Sequence, residues 1–120
     1  MPHILIVEDS KTDAYLFKKV LERHGYQTSQ AISGEEGIEK AREILPNLIL
    51  MDVVMPGLNG FQATRKITKS QEMGSIPVVI ISSKSMESDI AWGLMQGAKA
   101  FLVKPVKEEK LLETVKEFIN

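Results

Sequence analysis

The chain has 120 residues, 43% hydrophobic and 26% charged, with 15 Lys and Arg against 16 Asp and Glu and a formal net charge of -1. One domain of this length buries roughly two-thirds of its unfolded surface around a single core, and its near-neutral charge gives no general attraction to nucleic acid or to a membrane surface. The lack of cysteine removes disulfides, thiolate metal sites and thiol nucleophiles. The opening MPHILIVEDS has no basic region and only a short apolar run before its acids, so no signal peptide or membrane insertion is expected, and the protein is placed in the cytoplasm.

In chain order, HILIVE (3–8) predicts a first strand. Ala14, Phe17 and Leu21, at i, i+3 and i+7, then predict an amphipathic helix that Gly25 stops. QTSQAI (27–32) is a second, more polar strand, expected at a sheet edge. Ser33 with Glu36 forms a capping pair, the stripe Ile38, Ala41 and Leu45 follows, and Pro46 ends that helix. NLILMD (47–52) is the third strand, and Asn59 with Gln62 caps the next helix. PVVIIS (77–82) and AFLVK (100–104) are the fourth and fifth strands, and Leu111, Val115 and Phe118 mark the last helix. Three of the five runs are nearly continuous in Ile, Leu and Val, as parallel strands covered on both faces must be. Five βα repeats predict an α/β fold, a doubly wound three-layer sandwich with right-handed crossovers. No linker or repeat interrupts it, so one domain is expected over 1–120 with no output domain.

In such sheets ligands bind beyond the carboxyl ends of the strands, where strand order reverses. Glu8 and Asp9 follow strand one, Asp52 ends strand three, Ser82 and Ser83 end strand four and Lys104 ends strand five, so all can meet on one rim. Three crowded carboxylates repel one another and call for a cation. An oxygen-only donor set suits Mg²⁺ (or Mn²⁺). With Lys104 as a further positive charge and Ser82 as a hydroxyl donor, the set suits a phosphoryl group, with Asp52 as the nucleophile that forms an acyl-phosphate. Taken singly, Glu8 with Asp9 reads as a solvated turn, Asp52 as a turn residue and Lys104 as a surface lysine; it is their convergence that carries the chemistry. A flavin site would want Ser, Thr and Gly after strand one, where two acids stand, and an aspartate-nucleophile phosphatase would want an acid at Val54. His3 and His24 have no metal or triad spacing, and Met51 and Met95 read as core or half-core filler. Trp92, the only tryptophan, is expected to pack between helices, with a partner anchor as the alternative.

The runs ILIVEDS, LILMDVVMPGLNG, VVIISS and FLVKP resemble the receiver domains of bacterial two-component response regulators, in particular the single-domain, chemotaxis-type (CheY-like) regulators. From Asp52 the spacing is 30 residues to Ser82, 49 to Phe101 and 52 to Lys104, similar to that family's phosphoacceptor, hydroxyl, aromatic switch and lysine. The resemblance implies a flavodoxin-like (βα)5 fold of strand order 2-1-3-4-5. It also implies that Asp52 accepts the phosphoryl group, that Asp9 and the Val54 backbone carbonyl complete the Mg²⁺ shell, and that Glu8 acts through a metal-bound water. Ser82 and Lys104 would hold the phosphoryl oxygens, Ser82 and Phe101 would form the switch, and Lys104–Pro105 would be a cis peptide. Phe101 stands where tyrosine is more familiar, and Glu8 where aspartate is. The implied partners are a histidine kinase as phosphodonor and an unknown protein target on the face of helix four, strand five and helix five. A monomeric signalling protein that catalyses only its own phosphorylation and dephosphorylation is expected. A weaker similarity points to regulators of type IV pili and twitching or phototactic movement. Without an output domain such a protein binds a target or drains phosphoryl groups from a shared kinase; a binding module without phosphorylation is the remaining alternative.

Overall fold

The computed structural model describes residues 1–119. Strands β1 (His3–Val7), β2 (Gln27–Ala31), β3 (Leu48–Met51), β4 (Val78–Ser82) and β5 (Ala100–Val103) form one parallel sheet in the order β2-β1-β3-β4-β5. The apolar runs occupy its middle: Ile4 to Val7, all of β3 and all of β4 are buried. The polar β2 lies at an edge, as its sequence predicts. Every strand is shorter than its apolar run. Pro77 has no N–H for a ladder, and Glu8, Asp52 and Lys104 fall just beyond the carboxyl ends of their strands.

Alternate strand residues feed two cores. Leu5, Val7, Ile49, Met51, Val78 and Ile80 pack with Ala41 and with Ala63 and Ile67, from α2 (Gly34–Ile44) and α3 (Gly60–Thr68). Ile4, Ile6, Leu48, Leu50, Val79 and Ile81 pack on the other side with Ala14, Phe17 and Leu21 of α1 (Lys11–Arg23) and with Leu111 and Val115 of α5 (Glu108–Phe118). The period of two in the strands thus separates three layers. The remaining helix, α4 (Glu87–Met95), buries only Gly93.

Helix starts follow their caps. Asn59 and Gln62 bond reciprocally at 2.9 and 3.0 Å, the full capping box. Ser33 accepts from the Glu36 N–H, but Glu36 returns its bond to the Ile32 N–H at 2.9 Å, one residue upstream of the cap. Three expectations fail. Leu45 does not join the buried stripe of α2: it is the C-cap, left-handed at φ 45, and 56% exposed. The residue before a proline is disfavoured in the right-handed helical region, so the helix ends at Ile44 and Leu45 turns outward. Trp92 and Met95 are 50% and 72% exposed, so neither is core, whereas Met51 is fully buried. α4 is apolar around much of its circumference, and only the side carrying Gly93 lies on the sheet. Among the described residues, no helix is long and apolar enough to cross a membrane.

Candidate functional site

The chain passes from β1 outward to β2 and then returns across β1 to β3, so the switch point lies between β1 and β3. Val7 pairs with Met51 there, and the Asp52 N–H donates to the Val7 carbonyl at 2.9 Å. That register sets the residues after the two strands, Glu8 and Asp52, side by side. Gly60 holds the other flank. A Cβ at Gly60 would stand 2.0 Å from the Asp52 carbonyl oxygen, so only glycine lets α3 start against the Asp52 turn, where its N–H donates to the Val53 carbonyl at 3.0 Å.

Carboxylate oxygens of Glu8, Asp9 and Asp52 lie within 4.8 Å of one another. Glu8 and Asp52 are buried and Asp9 is exposed, so the cluster is closed on its inner side and open at the rim. From the far side of the sheet, Ser82 pairs with Val103, and the Lys104 N–H donates to the Ser82 carbonyl at 2.8 Å. The Lys104–Pro105 peptide is cis. The Lys104 Nζ donates to Glu8 Oε1 and to Asp13 Oδ2, both at 2.8 Å, and stands 3.4 Å from Asp52 Oδ1. Ser82 is fully buried, and its Oγ accepts from the Lys84 N–H at 3.1 Å. Phe101, two residues before Val103 on β5, is half-buried with its ring against α4; a Cβ on Gly93 would come within 2.9 Å of the ring. Val54 is exposed on the loop after Asp52, as is Ser83 after β4.

Asp13 is the site residue that the sequence reading passes over. It lies in the first turn of α1, its backbone N–H donates to the Ser10 cap, and its side chain reaches the lysine from 91 positions away. One signal was available: Asp13 is one helical turn after Asp9, so a helix starting at the rim carries it back over the same edge.

Burial is the main influence on the acids. It pushes the Glu8 carboxyl up from 4.5 to about 7, against the pull of the Lys104 ammonium and the Ser10 N–H, and Asp52 beside it adds repulsion. Asp52 is likewise raised by burial, opposed by Lys104, by Glu8 and by the Val53 N–H. Burial pulls Lys104 down, but Asp13, Glu8 and Asp52 outweigh it and hold the ammonium above its usual value. One lysine therefore does not neutralise the acids crowded around it. The three oxygen donors, hard and open on one side, fit a small divalent cation, which would supply the missing charge.

A buried aspartate in an acidic cluster, beside an inward lysine and at the carboxyl end of a doubly wound parallel sheet, is the arrangement that the resemblance to receiver domains implies. The response regulator receiver domain family matches residues 4–116, and the chain belongs to that family, whose members are signalling proteins. It is 51% identical over 115 residues to the protein PilH of Pseudomonas aeruginosa, a match spanning 96% of this chain and 95% of PilH. Among solved structures it resembles the Vibrio cholerae chemotaxis protein CheY4, at 27% identity and a TM-score of 0.92 over 99% of each chain. It is also similar to the receiver domain of the sensor histidine kinase PA1611 of P. aeruginosa PAO1, solved with a magnesium ion in its active-site cleft. That match has 26% identity and a TM-score of 0.90 over 98% of this chain and 96% of the other.

Proposed function

We propose that Asp52 accepts a phosphoryl group from a histidine kinase, and that the receiver then switches a partner-binding face. The observation that carries this is the meeting of Glu8, Asp9 and Asp52 within 4.8 Å, with the Lys104 ammonium 3.4 Å from Asp52. Asp9, Asp52 and the Val54 backbone carbonyl would hold Mg²⁺ (or Mn²⁺), and Glu8 would reach it through a water. The cation supplies charge neutralisation for the phosphoryl oxygens. The Asp52 carboxylate attacks phosphorus, an Asp52 O–P bond forms, and the P–N bond of the phosphohistidine breaks with its electron pair leaving on the imidazole nitrogen. Lys104 balances the developing charge, and the Ser82 hydroxyl donates to a phosphoryl oxygen. In the reverse half of the cycle water attacks phosphorus, the Asp52 O–P bond breaks, and phosphate leaves the carboxylate free.

The output face we propose is that of α4, β5 and α5. It exposes Trp92, Leu94, Met95 and Val103 together with Met86, an apolar display that a partner would cover and that a pure phosphate sink has no use for. The 51% identity to PilH supports a place in a pilus-linked or taxis-like two-component system. We take the receiver, residues 1–120, to act as a cytoplasmic monomer, with no nucleic-acid partner. Labelling by acetyl phosphate is expected only with a divalent cation, and Asp52→Asn should be inert. Labelling that persists in Asp52→Asn, or that proceeds equally well in chelator, would overturn the assignment.

A further inference from the structure

Resting on the phosphoacceptor role of Asp52, we infer that Asp13 is a latch on Lys104: it holds the lysine back from closest contact with Asp52 in the unphosphorylated state and is the partner given up when a phosphoryl group arrives. A lysine ammonium has three N–H donors. Two are engaged here at 2.8 Å, by Glu8 and by Asp13, while Asp52 stands off at 3.4 Å. A phosphoryl group on Asp52 brings several new anionic oxygens; the third N–H can take one of them, but for Nζ to move in and donate to a second, one of its two short bonds must open.

Burial decides which one. The Glu8 side chain is 2% exposed, and abandoning it would strand a buried carboxylate. The Asp13 side chain is 35% exposed, so water takes over as it is released. Asp13 and Lys104 also border an open groove of ≈ 530 Å³ between α1 and α5, with Leu16, Phe17, Pro105 and Val106, into which the freed carboxylate can turn. Releasing Asp13 does not unravel α1, because the bond to the Ser10 cap is made by the Asp13 backbone N–H. The pair therefore stabilises only the unphosphorylated arrangement and subtracts from affinity for the phosphorylated one. Asp13 is a positioning residue. It need not touch the phosphoryl group.

The test is binding of beryllofluoride in saturating Mg²⁺, followed by fluorine NMR and titration calorimetry, in the wild-type chain and in Asp13→Asn, Asp13→Glu, Lys104→Ala and the double variant Asp13→Asn/Lys104→Ala. Asp13→Asn keeps the shape and removes the charge, and it should tighten binding by about two- to five-fold, the range a partly exposed ion pair commands. Asp13→Glu should return most of the way to wild type. In the Lys104→Ala background the Asn substitution should change nothing, because the latch acts only through the lysine. Unchanged or weakened binding in Asp13→Asn overturns the latch. So does tightening that survives in Lys104→Ala, which would mark a mere through-space charge effect. If the wild-type chain takes no beryllofluoride, or Asp52→Asn takes it equally well, the phosphoacceptor role fails and the latch with it. Normal wild-type binding with an indifferent Asp13→Asn overturns the latch alone.

Discussion

Helices α1 and α4 lie on opposite faces of the sheet and are fastened to it very differently. α1 runs 13 residues, is capped by the Ser10 side chain, and buries Ala14, Phe17 and Leu21 on one stripe. α4 runs nine residues, its N-cap Met86 makes no side-chain cap bond, and it buries only Gly93. Its large apolar residues Trp92, Leu94 and Met95 face outward. The well-fastened helix carries Asp13 to the rim, where position must be held. The loosely fastened helix borders Phe101 and the proposed output face, where position must be able to change. Low burial and a weak cap are what a movable element requires.

Truncating the anchored helix should show the largest effect on stability. Phe17→Ala is expected to cost about 3–5 kcal/mol in urea unfolding, because a buried aromatic leaves both lost contacts and a cavity. A loss below about 1 kcal/mol would mean that α1 is not firmly anchored to the sheet.

The proposed switch is next in size. Phe101 inward burial is worth on the order of 2 kcal/mol, comparable to the coupling energies of allosteric proteins, roughly 1–3 kcal/mol. Trp92 is the only tryptophan and sits on α4, so its fluorescence reports that helix directly. Beryllofluoride with Mg²⁺ should change the emission of the wild-type chain. Phe101→Ala and Ser82→Ala should bind the same mimic with most of that change lost. A change of wild-type size in Phe101→Ala would reduce the ring to core packing and separate α4 from the site.

At the rim itself the acids and the lysine should divide their labour. Asp9→Asn is expected to weaken Mg²⁺ binding by about tenfold, some 1.4 kcal/mol, whereas Lys104→Ala should largely spare the metal while impairing phosphorylation. Calorimetric titration of Mg²⁺ decides this, and equal losses in the two variants would defeat the division. The smallest effect belongs to the exposed side of α4: Trp92→Ala should alter stability by less than about 0.5 kcal/mol. A larger loss would show that the indole is structural after all, and that α4 is fastened as firmly as α1.

The sequence by itself determined the alternation of β and α elements, the edge character of β2, the capping box at Asn59 and the set of residues at the strand ends. These are local consequences of period, turn chemistry and strand composition, readable within about ten residues. It also determined that Glu8, Asp9, Asp52, Ser82 and Lys104 would share a rim, because a parallel sheet puts all its carboxyl ends on one side. Tertiary structure alone decided the rest. A window around Leu45 shows a helical stripe, but the chain must turn before Pro46, and its φ of 45 puts the side chain outside. α4 is apolar on several faces, so no period says which one the sheet covers; the tight approach at Gly93 chooses it and leaves Trp92 and Met95 in the open. That Lys104 lies closer to Asp13, at 2.8 Å, than to Asp52, at 3.4 Å, depends on how far α1 leans over the rim, a matter of a few tenths of an ångström that is set by packing across the whole α1–α5 layer.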